Sequence, residues 1–103
     1  MNREEVMQTA GRFKKALEAE GVPFDEVIIF GSAARNTMHG QSDIDIAVVG
    51  RPYKESRMEE QHALSRIRRE ISYKIQPLWF YPEHLNDRYS TLAEEIRRDG
   101  VVV

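Results

Sequence analysis

Residues 27–30, Val-Ile-Ile-Phe, form a short unbroken apolar run rich in β-branched side chains, and Gly31-Ser32 ends it abruptly. A run of that length without polar alternation is the pattern of a strand covered on both faces. Residues 44–49 read as a second strand, ended by Gly50-Arg51-Pro52. Helical patterns surround these strands. Val6, Ala10, Phe13 and Leu17 recur at helical spacing within residues 3–20, and Gly21-Val22-Pro23 closes that segment. Leu64, Ile67 and Ile71 mark the buried stripe of a second, highly charged helix over residues 55–72. Residues 73–81 read as a third strand. Pro77 would cost a central strand one ladder hydrogen bond, which places it at an edge or a bulge. A turn or short helix over 82–85, a last helix over 91–98 and a terminal strand over 100–103 complete the chain, with a polar loop at 37–42. The order α-β-α-β-α-β-α predicts an α/β fold, a small β-sheet with helices packed against it.

At 103 residues this is the size of one domain, and residues 1–103 are read as a single one. The 41% apolar and 31% charged content is that of a globular protein. A net charge of −2 gives no general nucleic-acid-binding signal. No apolar run is long enough for a membrane span, and the charged start Met1-Asn-Arg-Glu-Glu lacks the apolar core of a signal peptide. The absence of cysteine removes disulfides and thiolate metal sites. A cytoplasmic location is the expectation.

Two polar motifs sit at the ends of the apolar strands. Alternation along a strand puts Asp43 and Asp45 on one face, about 6–7 Å apart at their α-carbons. Left alone, the two carboxylates repel and favour holding a proton. A divalent cation between them relieves that, and oxygen ligands with room for water and phosphate suit Mg²⁺. Gly31-Ser32 supplies the complement: a strand running into a helix leaves backbone N–H groups for an anion, Gly31 permits close approach, and the Ser32 hydroxyl can donate. Alone, Gly-Ser is an ordinary turn and Asp-x-Asp a solvated strand start. Together, at strand ends, they point to a metal-bound nucleotide.

The spacing Gly31-Ser32, ten residues, Asp43-x-Asp45 resembles the signature of the DNA polymerase β-like nucleotidyltransferase superfamily. The flanking Phe30-Gly-Ser-Ala-Ala-Arg-Asn and Ser42-Asp-Ile-Asp-Ile-Ala-Val-Val are similar too, and the short chain looks like the minimal nucleotidyltransferase (MNT) branch of antitoxin type. More weakly, residues 95–101 are similar to the end of such domains. The resemblance implies a mixed sheet, two Mg²⁺ ions, and transfer of a nucleoside monophosphate from a triphosphate, with ATP expected, releasing pyrophosphate. Carried over by residue, it implies that Gly31 and Ser32 hold the phosphates and that Asp43 and Asp45 hold the metals. Arg35 is read equally as a triphosphate contact or as a balance for the two aspartates.

Members of the superfamily usually carry a third acid on the strand after the long helix, where it helps deprotonate the acceptor. Here that strand reads Tyr73-Lys-Ile-Gln-Pro-Leu-Trp-Phe, and Gln76 aligns with the missing carboxylate. Its amide oxygen can meet a cation but cannot act as a base. The resemblance further implies a HEPN-type toxin as partner, nucleotidylated on a hydroxyl. The competing reading is a non-catalytic module that neutralises its partner stoichiometrically. A small-metabolite transferase is the weakest reading, and a homo-oligomer is compatible with the sequence. His39, His62 and His84 are read as solvated, Trp79 and Phe80 as core, or as one core and one partner contact, and the Arg66, Arg68, Arg69 run, mixed with Glu59, Glu60 and Glu70, as a solvated helix face.

Overall fold

The computed structural model describes residues 2–35 and 43–103. The expected loop over 37–42, with His39, lies outside the described residues. In chain order the elements are α1 (Arg3–Ala19), β1 (Glu26–Phe30), α2 (Gly31–Arg35), β2 (Ile44–Val49), α3 (Arg57–Arg69), β3 (Ile75–Phe80), α4 (Pro82–Leu85), α5 (Thr91–Asp99) and β4 (Val101–Val102). The sheet order is β3-β2-β1-β4, and β1 runs antiparallel to β2 and β4 while β2 and β3 run parallel. The mixed sheet matches the α/β reading of the sequence.

The apolar run of β1 does have cover on both faces, and so does β2 beyond Asp45. Val27, Ile29, Ile44, Ile46, Val48, Ile75 and Trp79 pack with Val6, Ala10, Phe13 and Leu17 of α1 and with Leu64 and Ile67 of α3. On the opposite face Ile28, Phe30, Ala47, Val49 and Phe80 meet Ile96 of α5, with Leu85 and Leu92 alongside. The whole expected stripe of α1 is buried, and both Trp79 and Phe80 are core.

Boundaries move by a few residues where side chains cap the ends. Ser56 accepts a hydrogen bond from the Glu59 N–H at 3.2 Å, so α3 starts after it rather than at residue 55. Residues 70–74 form a turn, held by the Ser72 hydroxyl on the Lys74 N–H and by the Arg68 guanidinium on the Tyr73 carbonyl, and β3 begins only at Ile75.

Pro77 sits on an edge strand, as its missing N–H requires. Ile44 N–H donates to the Lys74 carbonyl and Gly50 N–H to the Phe80 carbonyl, so the even-numbered residues face β2 and Pro77 turns its nitrogen away. The free edge is then closed by α3. Gln61 donates to the Pro77 carbonyl (2.6 Å) and accepts from the Trp79 N–H (3.0 Å), while Arg57 donates twice to the Trp79 carbonyl. An exposed strand edge invites pairing with other chains, and these two side chains occupy it.

Glu60 departs from the sequence reading: it is fully buried rather than part of the solvated face of α3. Its carboxylate accepts from the Tyr53 and Lys54 N–H groups and from the Tyr81 hydroxyl. Burial pushes its pKa up, but those hydrogen bonds and the Arg57 charge outweigh burial and hold it below the ordinary glutamate value. Because the folded value is depressed, this stabilisation is complete above the unfolded value and disappears as pH falls through the folded one. Glu60→Ala is expected to cost about 3 kcal/mol, the scale of losing charged hydrogen bonds and leaving their donors buried. Urea unfolding followed by the single tryptophan, Trp79, measures it. Glu60→Gln should lose stability at neutral pH and approach wild type in acid; a penalty constant with pH would remove the charge from this account.

Candidate active site

Pairing registers bring the sequence motifs to one end of the sheet. Asp45, in the first turn of the pleat of β2, lies opposite Phe30 on β1 and beside Gln76 on β3. Gly31 follows Phe30 directly and opens α2 with φ +69°, a left-handed conformation natural to glycine. A β-carbon at Gly31 would stand 2.5 Å from Asp45 Oδ2. Two requirements therefore converge on this glycine: the backbone turn and the space taken by the carboxylate. Ser32 is half-buried in the first turn of α2, and Asp43 is exposed just before β2.

Asp45 occupies the sheet face otherwise filled by Phe30, Ala47 and Val49. Burial raises its pKa above the usual aspartate value, the charges of Asp43 and Glu95 raise it further, and Arg35 opposes them. Glu95 was not singled out in the sequence. It lies on α5, where its carboxylate meets the Arg35 guanidinium at 2.9 Å, with Asp99 at 3.7 Å. Arg35 thus ties α2, which carries Gly31 and Ser32, to α5. The only sequence signal for this was the four-residue spacing of Glu95 and Asp99, which puts both on one side of a helix.

Gln76 is exposed beside Asp45, at the place where an acid was expected. Among the described residues no group of three or more histidine or acidic side chains could hold a metal ion. The oxygen donors that this end of the sheet offers a hard cation are the carboxylates of Asp43 and Asp45 and the amide of Gln76. Burial is the first cost that Asp45 bears and the charges of Asp43 and Glu95 the second, and a divalent cation would relieve that second cost. His62 is exposed, and His84 stacks on Tyr81 at 5.1 Å, away from this cluster in the sequence and in contacts.

The chain matches the family model of the nucleotidyltransferase domain over residues 11–98, and it belongs to that family. Its general role is accordingly that of a transferase of nucleotidyl groups. Among solved structures it is similar to a candidate nucleotidyltransferase from Sulfolobus solfataricus, with 24% identity and a TM-score of 0.69 over 97% of this chain and 80% of that one. That likeness shows the fold. No curated protein matches the chain.

Two substitutions probe the site without a ligand. Asp45→Asn should raise the unfolding midpoint at neutral pH. A group with a raised folded-state pKa favours folding below its unfolded value and loses that contribution as pH rises through the folded one. The gain should vanish in acid, where the aspartate is protonated in both states, and a neutral-pH loss of stability would contradict the assignment. Gly31→Ala is expected to cost about 1–2 kcal/mol from the left-handed backbone alone, plus displacement of the Asp45 carboxylate. Denaturant unfolding of the variant reads the sum.

Proposed function

We propose that the chain is a minimal nucleotidyltransferase domain that binds ATP with Mg²⁺ and transfers AMP to a hydroxyl of a partner protein, as the antitoxin to a HEPN-type toxin. The observation that carries the nucleotide reading is the contact of Gly31 with the Asp45 carboxylate, which joins the phosphate-binding turn to the acidic strand start. Gly31 and Ser32 would receive the phosphates, and Asp43 and Asp45, with the Gln76 amide, would hold Mg²⁺. Bound there, the metal would neutralise the triphosphate and activate the acceptor oxygen.

The transfer balances simply: the acceptor oxygen bonds to the α-phosphorus and pyrophosphate leaves. The hydroxyl proton needs a base. Gln76 cannot serve, so Asp43, Asp45 or a carboxylate of the partner must take it. ATP, the HEPN-type partner and the hydroxyl acceptor rest on resemblance to the minimal branch. No helix among the described residues is long and apolar enough to cross a membrane.

Gln76 supports a second reading, a nucleotide- or partner-binding module that neutralises without transfer. Incubation with labelled ATP, Mg²⁺ and the protein encoded beside it separates the two. Transfer predicts label on the partner, lost in Asp43→Ala and Asp45→Ala. It also predicts that Gln76→Asp raises the rate by about tenfold or more, toward the usual contribution of a positioned base. Partner neutralisation that survives both alanine variants, without label, would establish the binding module. Calorimetry that finds no Mg²⁺-dependent ATP binding would sink the nucleotide site itself.

A further inference from the structure

Parallel pairing of β2 and β3 sets three side chains of β3 on the sheet face that carries Asp45: Gln76 beside Asp45, Leu78 beside Ala47 and Phe80 beside Val49. On that face α5 packs over β1, and the cover thins toward β3. Gln76 is exposed, and Leu78 is half-buried although Ala47 next to it is sealed. An open cleft of about 290 Å³ begins at Leu78. It is lined by Leu78, Phe80 and Leu92, with the polar side chains of Arg57, His84, Asp87 and Ser90.

The polar part of the lining is held in place by the fold. Arg57 donates to the Trp79 carbonyl, the Ser90 hydroxyl caps α5 on the Ala93 N–H, Asp87 accepts from the Tyr89 N–H, and His84 lies against the Tyr81 ring. The cleft is therefore formed before any ligand arrives, as binding sites commonly are. Its apolar surface continues round the sheet edge. A neighbouring cleft of about 380 Å³ shares Arg57 and Leu78 and adds Met58, which is 68% exposed.

Strand addition cannot fill this place. The Pro77 carbonyl and the Trp79 N–H and carbonyl, on the outer edge of β3, are taken by Gln61 and Arg57. The occupant must enter by a side chain. Charge disfavours a polynucleotide: among the described residues Arg57 is the one permanent cation of the lining, its guanidinium is committed to the Trp79 carbonyl, and Asp87 stands with it. A nucleic-acid strand needs several cations for its phosphates. An uncharged apolar side chain of a polypeptide matches Leu78, Phe80 and Leu92.

Position selects the polypeptide. The cleft and Asp45 share one sheet face and are joined by the row Gln76, Leu78, Phe80. From Gln76 the row reaches Leu78 after about 7 Å and Phe80 after about 13 Å, at the rise of a strand. An extended segment with its hydroxyl at Asp45 therefore places a side chain roughly two to four residues away over the cleft. We infer that the cleft seats an apolar side chain of the acceptor protein, a few residues from the hydroxyl that receives the nucleotide. This rests on the transfer reading, which supplies the acceptor.

The test titrates the peptide acetyl-Ser-Gly-Gly-Leu-amide into the whole isotope-labelled chain and follows its amide resonances. Shifts are expected at Leu78, Phe80, His84 and Leu92, and at Gln76 from the serine end. Serine in place of the peptide's leucine should weaken binding by about tenfold or more, the scale of one buried leucine. Leu92→Ser in the protein should do the same. Val102→Ser, at an exposed apolar position on the opposite edge of the sheet, should change nothing. Equal binding of the two peptides, shifts away from the cleft, or tighter binding of a single-stranded oligoribonucleotide at these resonances would overturn the inference. Labelling of the protein encoded beside the chain keeps the two proposals apart. Leu92→Ser should raise KM for that protein by about tenfold with kcat nearly unchanged, because the anchor lies away from the reacting atoms. An unchanged KM refutes the cleft while transfer stands. No label from the wild type, with the leucine peptide still seated, refutes transfer and leaves the cleft as the seat of an apolar segment.

Discussion

The pairing of β1 with β2 is the constraint on which the site depends. Antiparallel register sets Phe30 against Asp45, so the turn that leaves β1 at Gly31 meets the start of β2. Without that register the two motifs would be separate surface features. With it, a left-handed glycine and a partly buried carboxylate occupy adjoining space, and neither tolerates an added β-carbon at Gly31. The cost falls on Asp45, which sits on a face of the sheet made for apolar side chains and beside two other acids. Functional sites commonly keep such unfavourable charge where a ligand later relieves it.

α5 adds to that cost through Glu95 and also anchors the cation that opposes it. Its Glu95 and Asp99 hold Arg35, and Arg35 in turn lowers the proton affinity of Asp45. The same helix supplies Ile96 and Leu92 to the second apolar layer. Core packing and the electrostatics of the site are therefore set by one element, which reaches α2 only through tertiary contact. The family match spans both, ending at Arg98.

α3 serves two surfaces at once. Its inner side provides Leu64 and Ile67 to the core and hides Glu60 among its hydrogen-bond donors. Gln61 and Arg57 cover the edge of β3, which allows a proline in that strand without leaving the edge free for another chain. Each acid or base turned inward changes what remains outside.

The apolar periodicities of α1, β1 and β2 were legible from the residues because burial of each depends on local spacing, and these elements formed nearly where the pattern put them. The edge position of Pro77 was legible for the same kind of reason, since a missing N–H is a local chemical fact. Gly31-Ser32 and Asp43-x-Asp45 could be picked out by residue type and spacing. Long-range geometry decided the rest. The Gly31–Asp45 contact, the place of Gln76 beside Asp45, the Arg35 bridge to Glu95 and Asp99, and the internal Glu60 all join residues distant in sequence. Charge patterns on a line cannot show them, because whether an ionised side chain is solvated, paired or buried depends on which elements pack around it. Only the folded sheet and its two helical layers determine that.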